Sequence, residues 1–244
     1  MVNYFLGCCM IENSLIALGI TFVLALTWLR INDYFAHKGW ISSSLSRKII
    51  HTGTGPIFVL CWLLFNDAPY NRYLAALIPL AITIQFALVG LGIMKDQSSV
   101  DSMSRTGDRR EILRGPLFYG IVFVALTILF WKNSPIGIIS LMIVSGGDGL
   151  ADIIGKRSSG KPLPWSSRKT FVGSIAMFLG GFTFAFLVLA AFRAAGVFVG
   201  PIWKDIPKLV LLAFAGTMIE SLPFSDIDNL TVPLITVLLG LLMY

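Results

Sequence analysis

Read for alternation of apolar and polar positions, the chain shows long uncharged runs separated by short polar connections. A hydrocarbon core about 30 Å thick takes about 20 apolar residues per helix. The runs Ser14–Ile31, Ile49–Phe65, Tyr73–Met94, Pro116–Trp131 and Thr170–Phe192 meet or approach that length. Ile136–Gly147 is only twelve residues long, and it reaches spanning length only if the helix continues through Asp148 and Asp152 to Gly155. Pro207–Ile219 and Leu230–Tyr244 complete eight spans, or seven if the last does not insert. The pattern predicts a single all-α domain over residues 1–244, a polytopic transmembrane helix bundle.

Composition agrees with that reading. The chain is 56% hydrophobic and 13% charged, against roughly 25% charged in soluble domains. Its net charge of +6 records topology rather than nucleic-acid binding, since no basic aromatic groove is visible. With eight spans, the first, third, fifth and seventh connections share one side. That side holds fourteen of the nineteen Lys and Arg residues, so the positive-inside bias places it in the cytoplasm or its equivalent. Both termini then lie opposite. Ten of the thirteen acids share that side, which topology alone does not require. A polar reaction face is expected there. Three cysteines give no disulfide framework, and Cys8 and Cys9 are read as an inert pair rather than lipidated. The start resembles neither a cleaved signal nor a transit peptide, which suggests a prokaryotic or mature chain in a plasma, inner or thylakoid-type membrane.

The densest polar stretch is Gly146–Ser174. Asp148 and Asp152 are spaced i, i+4, so a helix carries both carboxylates on one face. Such a pair at a membrane edge calls for a cation, and Mg²⁺ bound by one or two carboxylates plus phosphate oxygens suits it. The alternative is a pair of solvated helix-end acids, or salt bridges to Lys156 and Arg157, since Asp152 and Lys156 are also spaced i, i+4. Gly155 and Gly160 allow close backbone approach, Lys156, Arg157 and Lys161 supply charge, and Arg168 and Lys169 precede Gly173 and Ser174 at a helix start. A helix N-terminus is a natural phosphate site. No G-x-x-x-x-G-K-[ST] motif is present, which argues against a P-loop.

Elsewhere, His51 lies one turn after Arg47 and could contact phosphate, position a hydroxyl or act as a base. Arg105, Arg109, Arg110 and Arg114 could bind phosphates or lipid headgroups, or pair with Asp108 and Glu111. Glu220 ends an apolar helix, with Asp226, Asp228 and Asn229 close behind.

Five segments together resemble the polyprenol kinase family, its phytol and farnesol kinase branch more than dolichol kinase. They are RKIIH at Arg47–His51, SRTGDRREILRGPL at Ser104–Leu117, GDGLADIIGK at Gly147–Lys156, KPLPWSSRKTFVGSIAMF at Lys161–Phe178 and ESLPFSDIDNLTVPL at Glu220–Leu234. The resemblance implies a multi-pass enzyme that uses CTP to phosphorylate a long-chain isoprenoid alcohol held in the bilayer, phytol first, geranylgeraniol and farnesol next. It implies that Asp148 and Asp152 serve CTP–Mg²⁺. Lys156, Lys161, Arg168 and Lys169 would cradle the phosphates beside Gly173 and Ser174. Arg47, Lys48, His51, Glu220 and Asp228 would line the same site, with Arg109, Arg114 and Asn229 as further phosphate or nucleotide contacts. Candidate bases are Asp148, Glu220 and His51. The chain is also similar to phosphatidate cytidylyltransferases, but their closing Gly-His-Gly segment is replaced here by ESLPFSDIDN. A transporter would carry charges or broken helices near mid-span, whereas these crowd one edge.

Overall fold

The structure, a computed structural model, describes residues 10–158, 160–223 and 227–244, so Cys8, Cys9 and Asp226 lie outside the described residues. Helices stand at all eight expected positions: α1 (Ser14–His37), α2 (Ser43–Leu60), α3 (Asn71–Leu91), α5 (Gly115–Leu129), the pair α6 (Pro135–Met142) and α7 (Gly149–Arg157), α8 (Phe171–Ala194), α9 (Ile206–Glu220) and α10 (Asp228–Met243). Between α3 and α5 the expected loop folds into a short α4 (Gln97–Met103) and a 3₁₀ turn at Arg109–Leu113. The chain is an all-α polytopic bundle, with one minimal hairpin among the described residues.

Among the described residues, five segments are long and apolar enough to cross a membrane: Ser14–Ala36, Asn71–Leu91, Arg109–Leu129, Pro135–Arg157 and Phe171–Ala194. The other three expected spans are helical but do not meet that measure. α2 begins six residues before the apolar run, at Ser43, and so includes Arg47, Lys48 and His51. α9 and α10 have 15 and 16 residues, roughly 22–24 Å at 1.5 Å per residue.

The segment Pro135–Arg157 is the axis of the bundle. Its window is 83% buried, against 22–44% in the other four long spans. Ser134 caps its start by accepting from the Ile136 N–H, and Pro135 occupies the first turn, where a missing N–H costs nothing. Ile138, Ile139, Leu141, Met142, Ile143 and Val144 are fully buried. From Ile143 to Asp148 the helix widens into a π-helix, a feature frequent at functional sites. α7 then carries the helix on to Arg157, two residues beyond the expected end.

Close packing along this axis depends on glycine. A Cβ on Gly180 of α8 would fall 2.6 Å from the Gly146 carbonyl oxygen in the π-helix. Backbone cannot swing aside as a side-chain tip can. Gly180→Ala is therefore expected to destabilise the protein by about 1–3 kcal/mol, the usual cost of overpacking, read as a lower thermal midpoint in detergent. Because the displaced carbonyl lies two residues before Asp148, activity should fall with it.

The polypeptide between α7 and α8 is not plain loop. β1 (Pro162–Leu163) and β2 (Ser166–Thr170) pair antiparallel, with Leu163 opposite Ser166. Trp165 at the turn donates its indole N–H to the Ser221 carbonyl at 3.1 Å, tying the hairpin to the end of α9. Thr170 closes β2 and caps α8, its hydroxyl accepting from the Gly173 N–H at 3.1 Å. At the opposite end of the bundle, Arg193 pairs with the buried Asp205 (Nε to Oδ2, 2.7 Å) and holds the α8–α9 connection.

Candidate active site

The ends of α2, α7, α8, α9 and α10 meet at one polar cavity of about 250 Å³. Its walls carry Lys48, Arg105, Asp148, Asp152, Lys156, Arg168, Lys169, Gly173, Ser174, Glu220 and Asp228. Residues from five separate stretches of sequence thus form one surface, as a composite phosphate site requires.

Asp148 is the pivot. It stands where the π-helix passes into α7 and is 8% exposed. Its Oδ2 accepts from Lys48 Nζ at 3.1 Å and lies 3.7 Å from His51 Nε2. Asp152, one turn on, pairs with Lys156 at 2.9 Å and shares Lys48 at 3.8 Å. The two carboxylates share a wall, and Asp152 is also engaged by its own helix.

Across the cavity, Glu220 ends α9 with 4% exposure and forms an ion pair with Lys169. Lys169 Nζ also lies 3.5 Å from Asp228 Oδ2. Burial pulls the Lys169 pKa down, but Glu220 and Asp228 push harder the other way and hold it above the ordinary lysine value. The ammonium is therefore charged throughout the neutral range. Among the described residues, Asp148, Glu220 and Asp228 each offer a carboxylate oxygen within 4.8 Å of the other two. Three hard oxygen donors converging from three helices form a donor set that suits Mg²⁺. Sequence spacing pointed to Asp148 with Asp152, because it can register neighbours on one helix but not residues that α9 and α10 bring from 72 and 80 positions away.

A second, apolar cavity of about 80 Å³ lies between α1, α2, α3 and α5. Its walls include Leu29, Phe58, Ile78, Ile82, Phe86 and Phe123, and its polar end is Arg47, His51, Tyr119 and Asn229. Between the two cavities is a neck of about 20 Å³, lined by Arg47, Lys48, His51, Arg105, Gly115, Asp148, Asp228 and Asn229. The neck shares Arg47, His51 and Asn229 with the apolar cavity, and Lys48, Arg105, Asp148 and Asp228 with the polar one.

Hydrogen bonds fix the groups at the neck. Asn229 donates from Nδ2 to the Gly115 carbonyl at 3.1 Å, which leaves Oδ1 as the acceptor facing His51 Nε2, also at 3.1 Å. His51 therefore carries its proton on Nε2, an assignment made from the network. The imidazole lies against the Tyr119 ring, centroids 4.1 Å apart, and the Tyr119 hydroxyl donates to the His51 carbonyl at 2.8 Å. The His51 ring is thus held from two sides.

Three basic residues expected at the site stand apart from it. Lys161 is exposed at the start of the hairpin and does not line the polar cavity. Arg109 lays its guanidinium over the left-handed Gly92 at the end of α3, where any Cβ would collide with it. Arg114 immediately precedes α5 and lies outside the lining of all three cavities. Arg105, one of four arginines that sequence spacing could not rank, reaches both neck and polar cavity. Tyr119 carried no signal in the sequence at all, being one aromatic within an apolar span.

These features define a class: a multi-pass membrane protein whose bundle joins a charged, carboxylate-bearing cavity to an apolar one. Known proteins narrow it. The chain is 40% identical over 223 residues, 90% of its length, to the "Probable phytol kinase, chloroplastic" of Triticum aestivum, covering 74% of that protein. It is 36% identical over 239 residues, 96% of its length, to the "Farnesol kinase, chloroplastic" of Arabidopsis thaliana, covering 78% of it. A "Probable phytol kinase 3, chloroplastic" of Glycine max is 39% identical over 93% of the chain. No family model matches the chain, and no solved structure does. The chain belongs to the polyprenol kinase family.

Proposed function

We propose that this protein transfers the γ-phosphoryl group of CTP to the hydroxyl of a long-chain isoprenoid alcohol. The observation that supports it most is the row of cavities: an apolar chamber meets a charged chamber through a neck holding His51, Asn229 and Asp148. An isoprenoid alcohol has that same order of parts, an apolar tail ending in one hydroxyl. The names borne by the relatives, phytol kinase and farnesol kinase, support the same substrate class. CTP as donor follows from the resemblance of the five motifs.

In this reading the triphosphate lies in the polar cavity against Lys48, Arg105, Arg168, Lys169 and the start of α8. The hydroxyl enters the neck from the apolar side. Its oxygen bonds to the γ-phosphorus as the bond from that phosphorus to the β–γ bridging oxygen breaks, leaving CDP and a prenyl monophosphate. Such transfers depend on positioning and on stabilising charge spread over phosphate oxygens, so a cluster of cations is the main requirement. Of the three candidate bases, Asp148 and His51 line the neck and Glu220 does not. The protonated Nε2 of His51 is bonded to Asn229 Oδ1 and offers no lone pair at the neck, which leaves Asp148 as the acceptor. Mg²⁺ held by Asp148, Glu220 and Asp228, with Asp152 one turn away, would neutralise charge on the phosphate oxygens. The positive-inside bias puts this end of the bundle on the cytoplasmic side or its equivalent.

Membranes containing the protein, given γ-labelled CTP and phytol, geranylgeraniol or farnesol, are expected to yield labelled lipid, with ATP, GTP and UTP as competing donors. Label released as pyrophosphate, with phosphatidate converted to a CDP-lipid, would instead establish cytidylyl transfer. No transfer from any nucleotide to any of these alcohols would overturn the proposal.

A further inference from the structure

The apolar cavity is small for the tail it is proposed to receive. A cavity of roughly 150 Å³ accommodates benzene, with six carbons. The chamber beneath His51 measures about 80 Å³, so on the same scale it has room for about three carbons, less than one five-carbon isoprene unit. Its floor is shut. Phe58 lies two helical turns below His51, about 10 Å along α2, and packs against Phe123 with ring centroids 5.9 Å apart. Phe58, Ile78 and Phe123 are 2%, 3% and 3% exposed, and Phe58 rests on the fully buried Trp62. A chain pushed straight down the bundle axis meets close-packed aromatic rings.

The side wall differs. α1 and α3 contribute Leu29, Ile82 and Phe86 to the lining, and all three are only half-buried. Outside them both helices present apolar surface, with Ile84 and Leu80 of α3 and Phe22 and Val23 of α1 exposed. That is the surface of a span facing hydrocarbon.

We infer that the protein grips only the hydroxyl-bearing end of the prenyl chain, and that the remaining tail turns out between α1 and α3 into the lipid. This rests on the reading of the site as a prenol kinase. It makes Leu29, Ile82 and Phe86 the residues that set which tails are accepted, and Phe58 and Phe123 a stop rather than a ruler. Beyond the seated hydroxyl-bearing end, further isoprene units exchange lipid for lipid and add nothing to recognition. In a closed pocket, by contrast, each additional methylene is worth about tenfold or more.

The test is a length series in vesicles, with geraniol, farnesol, geranylgeraniol and a longer polyprenol compared at equal mole fraction in the bilayer. Wild-type kcat/KM is expected to stay within about threefold from farnesol upward, well below the increments of a closed pocket. Ile82→Trp, which narrows the seam, should lower the ratio of geranylgeraniol to geraniol kcat/KM by about tenfold. Ile82→Leu should restore that ratio, separating a blocked exit from a misfolded protein. Phe58→Ala should leave the ratio unchanged. A wild-type rate that climbs with each unit and then stops abruptly, together with a stop that Phe58→Ala moves to longer chains, would overturn the lateral exit while leaving the kinase reading intact. An Ile82→Trp ratio equal to wild type would also overturn it. Failure of every alcohol with the wild-type protein would overturn the kinase reading itself, and this inference with it.

Discussion

Asp148→Asn is expected to lower kcat by about 10³-fold, with a smaller change in KM for the alcohol. Asparagine keeps the volume and one oxygen but removes the charge on which three elements converge. Asp148 Oδ2 takes a hydrogen bond from Lys48 and sits beside His51, and the same carboxylate belongs to the trio with Glu220 and Asp228. It also lines both the neck and the polar cavity. On the proposed reading, its loss removes a metal donor and the proton acceptor at the neck in one step. Stability should change far less. Lys48 keeps Asp152 within 3.8 Å, and repulsion among the three acids is relieved. The measurement is single-turnover phosphorylation across a Mg²⁺ titration, beside a thermal midpoint. A variant with wild-type kcat at the wild-type Mg²⁺ requirement would remove Asp148 from both roles.

Lys169→Met should harm both the fold and the reaction. Lys169 is the cation between Glu220 and Asp228, and Glu220 is 4% exposed. Removing one partner of a buried pair leaves an uncompensated charge and costs about 3–5 kcal/mol. Here the penalty is compounded, because Asp148 and Asp228 lie close to the stranded carboxylate. Turnover should fall by about 10²-fold or more through loss of a phosphate-facing cation. The double variant Lys169→Met, Glu220→Gln separates the two effects: it should regain most of the stability and little of the activity. Because the folded-state pKa of Lys169 is raised, its stabilising contribution is complete below the ordinary lysine value of 10.5 and fades as pH rises through the higher folded value. Between pH 7 and 9 the stability difference between wild type and Lys169→Met should therefore show no trend arising from Lys169. A double variant as unstable as the single one would place the cost elsewhere.

The hairpin shows how local sequence can carry the right residues and conceal their arrangement. Lys161 and Lys169 read alike in sequence, two lysines in one basic loop. Pairing of β1 with β2, pinned by Trp165 on Ser221, turns Arg168 and Lys169 toward the cavity and leaves Lys161 outside. The same holds for the arginines of the third connection. All four were candidates, and it is the fold of α4 and the 3₁₀ turn that carries Arg105 inward and lays Arg109 over Gly92.

What the sequence determined by itself is the membrane bundle, its eight helical segments, the continuation of the short sixth run through both aspartates, and the gathering of charge at one end. Each follows from local quantities: the length of apolar runs, the 3.6-residue repeat, and the parity of connections that puts alternate loops on one side. Family membership was likewise legible in five short motifs. Tertiary structure alone decided that the carboxylates of Glu220 and Asp228 converge with that of Asp148 to within 4.8 Å, that Asn229 orients His51, and that an apolar chamber opens beneath them. Those relations depend on the distances at which separate helices pack and on the direction of each side chain. A one-dimensional pattern of polar and apolar positions does not encode either quantity, because many packings of the same eight helices would bury the same residues.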